Sequence, residues 1–197
     1  MNHNNTEIER KFLVKPDAFE LDAKQHNYVC KIIAQGYWNK DHLPSYFHYL
    51  LEAIAAEIPA SDYQNLKSGG PEQFELRVRQ SDEDFFVTFK GRTELPTGGI
   101  FEYEYPLEQD TAQHFLSHTD FLIEKHRHLV PLENDLLIEV DVFHRLGLIL
   151  AEIEIPSLDT VLPSLPEWMG EEVTGQPQYL NRYLAEQSGI KKKALRP

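Results

Sequence analysis

Carboxylates and basic side chains recur two residues apart along this chain. The set is Glu7 and Glu9 with Lys11; Glu75, Arg77 and Arg79; Glu102 and Glu104; Lys125 and Arg127; Glu139 and Asp141; Glu152 and Glu154. Paired carboxylates are hard oxygen ligands of the kind Mg²⁺ and Mn²⁺ take. Arginine grips phosphate oxygens two at a time, while lysine acts on them as a point charge. Acids that hold cations beside bases that hold a polyanion suit phosphoryl transfer, which depends chiefly on positioning and charge neutralisation and needs no serine or cysteine nucleophile.

The elements that carry these residues follow from the spacing. Residues two apart share one face of an extended strand, and those between are mostly apolar: Ile8, Leu76, Val78, Tyr103, Val140 and Ile153. Each strand thus has a greasy face and a face of mixed charge, the pattern of a sheet curled around a charged interior. Strands are expected at 6–14, 28–37, 74–80, 84–90, 100–106, 121–128, 136–143 and 148–155. A hairpin turns at Ser81-Asp82-Glu83, and a Gly98-Gly99 turn precedes residue 100. About eight strands is the count that closes a small barrel. Helices are expected near 110–118, at 44–58 (Phe47, Leu50, Leu51, Ile54 and Ile58 in a stripe) and at 177–187, with Tyr179, Leu180, Tyr183 and Leu184 on its apolar side. Residues 60–70 read as a flexible loop. The reading is a single domain over 1–197 with a helical insertion at about 41–70.

Composition sets outer limits. A chain of 197 residues with 41% hydrophobic residues can build a sizeable core. It has no apolar run of about 18 residues and no apolar segment at its N-terminus, which points to a cytoplasmic protein rather than a membrane or secreted one. Cys30, the one cysteine, excludes an intramolecular disulfide and a cysteine-built zinc site. A net charge of -13 argues against general nucleic-acid binding. It leaves room for a small anion in an enclosed basic site.

Glu7-Ile8-Glu9-Arg10-Lys11 forms an ExExK strand. It is followed in order by KIIAQGY at 31–37, FELRVR at 74–79, VTFKG at 87–91, FEYEY at 101–105, IEKHR at 123–127, EVDVF at 139–143, AEIEI at 151–155 and EEVTG at 171–175, with Tyr179 and Asn181 beyond. This ordered set resembles the CYTH superfamily, the triphosphate tunnel metalloenzymes, over nearly the whole chain except 41–70. The resemblance implies an α+β, predominantly β fold: an eight-stranded antiparallel closed β-barrel with peripheral helices. It implies Mg²⁺ or Mn²⁺ held by Glu7, Glu9, Glu152 and Glu154, with Asp141 near them. Phosphate would be held by Lys11, Arg77, Arg79, Lys90, Lys125 and Arg127. The catalytic set would be Glu7, Glu9, Lys11, Asp141, Glu152 and Glu154. Lys31, Glu75, Glu102, Glu104 and Glu139 share the interior parity.

Bland readings stand beside these. A single acidic pair is more often a solvated strand face, and the basic residues can form cross-strand salt bridges. Glu102 and Glu104 can serve only to orient arginines. His126 and His128 lie on the face opposite Lys125 and Arg127, outside the interior. Lys191–Lys193 are a solvated tail or a group that meets substrate. The segment His144-Arg145-Leu146-Gly147 must turn tightly between Asp141 and Glu152. The expected activity is metal-dependent hydrolysis of inorganic tripolyphosphate to pyrophosphate and phosphate, by a monomer or homodimer whose partner is a small polyanion such as tripolyphosphate or a nucleoside triphosphate. Alternatives are a class IV-like adenylyl cyclase, a thiamine triphosphatase, a non-catalytic polyphosphate or nucleotide sensor, and a scaffold recruiting a partner through the 44–58 helix.

Overall fold

A computed structural model describes residues 6–92, 94 and 99–188. Gly98 and Lys191–Lys193 lie outside these residues. Ten strands form one antiparallel sheet: β1 (Thr6–Glu7), β2 (Glu9–Val14), β3 (Val29–Tyr37), β4 (Phe74–Ser81), β5 (Asp84–Gly91), β6 (Ile100–Pro106), β7 (Phe121–Pro131), β8 (Leu137–Phe143), β9 (Leu148–Glu154) and β10 (Met169–Glu172). Their order is β1-β6-β5-β4-β3-β7-β8-β9-β2-β10. All eight expected strand segments are present, but the expected closed eight-stranded barrel is not. The N-terminal segment is split at Ile8 into β1, which pairs with β6, and β2, which pairs with β9. A tenth strand, β10, pairs with β2. The ladder therefore has two ends, and the chain itself crosses the gap at Ile8, whose carbonyl accepts a hydrogen bond from Ile155 N at 2.9 Å.

The alternation sorts the two faces as expected. Leu76, Val78, Val87 and Phe89 on one side of the sheet, and Phe12, Ile138, Val140 and Ile153 on the other, all turn outward and are buried. An outward apolar face must be covered, and helices cover it. Helix α1 (Pro16–His26) lays Phe19 edge-on against Trp168 and His128. Helices α2 (Leu43–Ala53) and α3 (Ala60–Gln73), with α4 (Gln109–Ser117), cover β4 and β5. The helix expected over 44–58 thus ends earlier, and the segment read as a loop continues as α3, which bends at Gly70 (φ 55°) before Pro71. Helix α1 was not expected either: Pro16 ends β2 but also opens a helix, where its fixed φ and missing N–H are tolerated.

The insertion is part of the core. Leu43, Phe47, Leu50, Leu51, Ile54, Ile58 and Leu66 pack in one cluster with Leu76, Val78 and Phe89. Gly36 is needed where helix α4 leads into β7, since a Cβ there would stand 2.3 Å from Thr119 Cγ2. Helix α5 (Asn181–Gln187) follows a short 3-10 turn at Pro177–Tyr179. Its Leu184 and Ala185 meet Tyr37, Ile123, Phe143 and Leu150 on the inner side, while Leu180 and Tyr183, expected on the apolar side, are largely exposed.

Phe47 is fully buried and meets Phe89 edge-on at 5.1 Å. Phe47→Ala is expected to lower stability by about 3–5 kcal/mol through lost burial and a cavity. Urea unfolding measures this, and a loss under about 1 kcal/mol would place α2 outside the core.

Candidate active site

The inner parity of the strands gathers the paired charges around a cavity of about 710 Å³. Of the residues singled out from sequence, Glu7, Glu9, Lys11, Arg77, Arg79, Lys90, Arg127, Glu152 and Glu154 all line it, together with Glu75, Glu102, Glu104 and Glu139. The register places them. Lys11 stands opposite Glu152, Glu9 opposite Glu154, and Glu139 opposite Glu152; Lys90 lies between Glu75 and Glu102.

Most of the cations are held by carboxylates. Arg77 Nη2 donates to Glu102 at 2.8 Å, and Arg79 Nη2 donates to Glu104 at 2.6 Å. Thr88, opposite Arg77, donates to Glu104 and accepts from Arg77. Lys90 bridges Glu102 at 2.9 Å and Glu7 at 3.2 Å. Lys11 bridges Glu152 at 2.9 Å and Glu9 at 3.3 Å. Arg127 bonds Asp141 through two nitrogens, and also Glu139 and Glu152. Both readings of these charges therefore hold together: they are cross-strand ion pairs and they line one cavity.

Lys125 and Asp141 differ from expectation. Neither lines the cavity. Both side chains are 0% exposed, with Lys125 Nζ 2.6 Å from Asp141 Oδ2 and 3.3 Å from Asn181 Oδ1 of α5. Burial, with Arg127 alongside, pushes the Lys125 ammonium down to about 8 against the pull of Asp141. The pair backs Arg127 from behind. Lys31 shares the parity but also lies outside the cavity lining.

Sequence periodicity missed Arg182, which reaches the cavity from α5, ion-paired to Glu75 at 3.6 Å and Glu186 at 3.2 Å. A helical residue carries no period-two signal, so its place depends on where α5 docks. Gln35, noted on the same parity as Lys31, is almost wholly buried in the lining, and its Oε1 has no hydrogen-bond partner among the described residues. Arg79 Nε is likewise buried without a partner.

The carboxylates divide by environment. Burial alone would raise Glu152 and Glu102, but neighbouring cations outweigh it. Lys11, Lys125 and Arg127 hold Glu152 well below the usual range, and Arg77 and Lys90 pull Glu102 down to about 2. Glu154 goes the other way: burial raises it, and repulsion from Glu139, Glu102 and Glu9 adds to the rise. Among the described residues Glu154 has no ion-pair partner, and it sits directly across from Glu9. Like charges opposed across a ladder are unfavourable. Among the described residues no three carboxylates or imidazoles converge on one point as they stand, but the donors facing Glu154 are the hard oxygens a divalent cation takes, and such an ion would reverse the local charge balance.

An antiparallel sheet whose inner face gathers paired carboxylates, arginines and lysines around one cavity, with its apolar face covered by helices, is the arrangement that the resemblance to the triphosphate tunnel metalloenzymes implies, apart from the unclosed ladder. No family model matches the chain. An inorganic triphosphatase of Acetivibrio thermocellus is 33% identical over 187 residues, 91% of this chain and 93% of that protein. One from Nitrosomonas europaea is 34% identical over 120 residues, 58% of this chain and 76% of that protein. The crystal structure of the inorganic triphosphatase NE1496 superposes with a TM-score of 0.51 at 30% identity, covering 93% of this chain and 97% of that one. The chain belongs to the inorganic triphosphatase family of the CYTH superfamily.

Burial, opposed by Lys90 and reinforced by Glu102, raises Glu7 to about 7. Its stabilising share is present below the ordinary value of 4.5 and is lost as pH rises through the folded value, when a desolvated carboxyl must ionise. Glu7→Gln removes that cost. In metal-free protein it is expected to raise Tm at about pH 8 and leave it unchanged at about pH 4. An unaltered or lower Tm at the higher pH would contradict this account of Glu7.

Proposed function

We propose that this protein hydrolyses inorganic tripolyphosphate to pyrophosphate and phosphate with Mg²⁺ or Mn²⁺ as cofactor. The observation that carries the reading is that one cavity holds both Glu154, which has no ion pair among the described residues and stands across from Glu9, and the basic set Lys11, Arg77, Arg79, Lys90 and Arg127. Relatives named as inorganic triphosphatases over most of the chain support it.

The metal would be held by Glu9 and Glu154, joined by Glu7 and Glu152. When bound, it neutralises phosphate oxygens and lowers the pKa of a coordinated water. The chain's own residues do the rest. Arg79 offers an unshared buried N–H to a phosphate oxygen, and Arg77, Lys90 and Lys11 exchange part of their carboxylate contacts for phosphate. Arg127 is locked in orientation by Asp141, itself locked by Lys125. Asp141 and Lys125 thus act as positioning residues. Water oxygen bonds to a terminal phosphorus as the bridging P–O bond breaks, and the water proton passes to solvent or to phosphate. The cations stabilise the charge gathering on the leaving pyrophosphate.

Glu9→Gln and Glu154→Gln keep side-chain size but remove a ligand charge. Each is expected to lower kcat by about 10²-fold or more, and EDTA is expected to abolish turnover. Phosphate release from tripolyphosphate measures both; full activity in EDTA, or in both variants, would remove the metal mechanism. Arg79→Ala is expected to weaken binding of a non-hydrolysable triphosphate analogue by about 1.5–3 kcal/mol, roughly 10- to 150-fold. Calorimetric titration reads this directly, and an unchanged Kd would place the anion elsewhere.

A further inference from the structure

On the outer face of the sheet, away from the cavity, two imidazoles meet. His126 lies on β7 between Lys125 and Arg127 and so turns to the opposite side. In the ladder it stands across from Val142 of β8. His144 follows Val142 by two residues, at the start of the turn to β9. That turn is fixed by Leu146 N donating to the Phe143 carbonyl at 3.0 Å and by Gly147 at φ 59°. His144 Nε2 and His126 Nδ1 are 3.2 Å apart, with ring centroids 4.7 Å apart and planes at 81°.

We propose that His126 and His144 form a two-imidazole site for a borderline divalent transition-metal ion of the Cu²⁺, Ni²⁺ or Zn²⁺ type, separate from the carboxylate-lined cavity. Two ring nitrogens 3.2 Å apart subtend an angle of about 100° at an ion bound at about 2.05 Å to each, near the tetrahedral and square-planar ranges. The facing nitrogens are within hydrogen-bond distance of each other; the ion takes the place of that contact, and water fills the remaining positions. Among the described residues no third carboxylate or imidazole completes the set, so the site is a two-ligand one with its nearest acid on the same face. Glu124 lies two residues before His126 on the same outward face, and it is tied only at 3.6 Å to Arg145 in an exposed pair. His128 follows on the same face, its Nε2 3.8 Å from Cys30 Sγ.

Ligand softness separates the two sites on one strand. Imidazole selects late first-row ions over Mg²⁺, whereas the inner carboxylates select hard cations. An ion at His126 and His144 clips the β8–β9 turn to β7, the strand that also carries Arg127.

The test is a Cu²⁺ titration, in excess Mg²⁺, of the full chain carrying His3→Gln, so that His3 with an N-terminal amine does not chelate the ion first, followed by electron paramagnetic resonance. The expected result is one tight site whose spectrum shows splitting from two nitrogens. His126→Gln and His144→Gln should each abolish the two-nitrogen pattern and weaken Cu²⁺ binding by about tenfold or more. A second histidine pair serves as control: His114 and His118 lie one turn apart at α4, with ring centroids 4.5 Å apart. Such an i, i+4 pair can itself chelate Cu²⁺, so both are replaced with Gln, and the two-nitrogen spectrum should persist at one ion per chain. A spectrum with oxygen ligation only, or one that survives in both the His126 and His144 variants, would overturn the proposal.

Discussion

The cost of taking charge out of water governs this molecule's inner face. A buried ion that loses its hydration is tolerable only if another ion or a set of hydrogen bonds replaces it. Arg127 meets Asp141, Glu139 and Glu152; Arg77 meets Glu102 and Glu104; Lys11 meets Glu152 and Glu9. These pairs fix the positions of the basic side chains that line the cavity. The compensation is incomplete at Glu154, which faces Glu139, Glu102 and Glu9, feels only the more distant pull of Arg127, and makes no ion pair among the described residues. The same electrostatic rule that orders the arginines therefore leaves a place for a divalent ion.

Inside-out polarity has a structural consequence. A sheet whose concave face carries charge must turn its apolar side chains outward, where water would meet them. Helix α1 covers the β8–β9–β2 side and the α2–α3 pair with α4 covers the β4–β5 side. The segment over 41–70 is thus core rather than appendage, and replacing it with a short linker would strip seven buried residues from that cluster. At the other pole, α5 seals one end of the interior with Leu184 and Ala185 while sending Asn181 to Lys125 and Arg182 to Glu75.

The split of the N-terminal segment at Ile8 belongs to the same logic. Glu7 and Glu9 share a parity, yet Glu7 sits on β1 beside β6 and Glu9 on β2 beside β9. The two acids consequently reach different neighbours, Lys90 with Glu102 for Glu7 and Lys11 with Glu154 for Glu9. One short motif thereby joins the two ends of an unclosed ladder and serves both halves of the cavity.

Period-two spacing by itself determined which side chains face inward, because that alternation is a property of each strand alone. Glu7, Glu9, Lys11, Arg77, Arg79, Arg127, Glu152 and Glu154, read from that spacing, all line the cavity, as does Lys90, which only the family resemblance singled out. Strand positions were legible for the same reason, as was the outward turn of His126. What the alternation could not contain was the identity of each partner across the sheet, since register and helix docking join residues distant in sequence. Only the tertiary structure decided that Asp141 and Lys125 bury each other behind Arg127, that Arg182 enters from a helix, and that the ladder stays open at Ile8. Helices α1 and α3 were hidden because their own apolar stripes are weak; they form because the greasy outer face of the sheet must be covered.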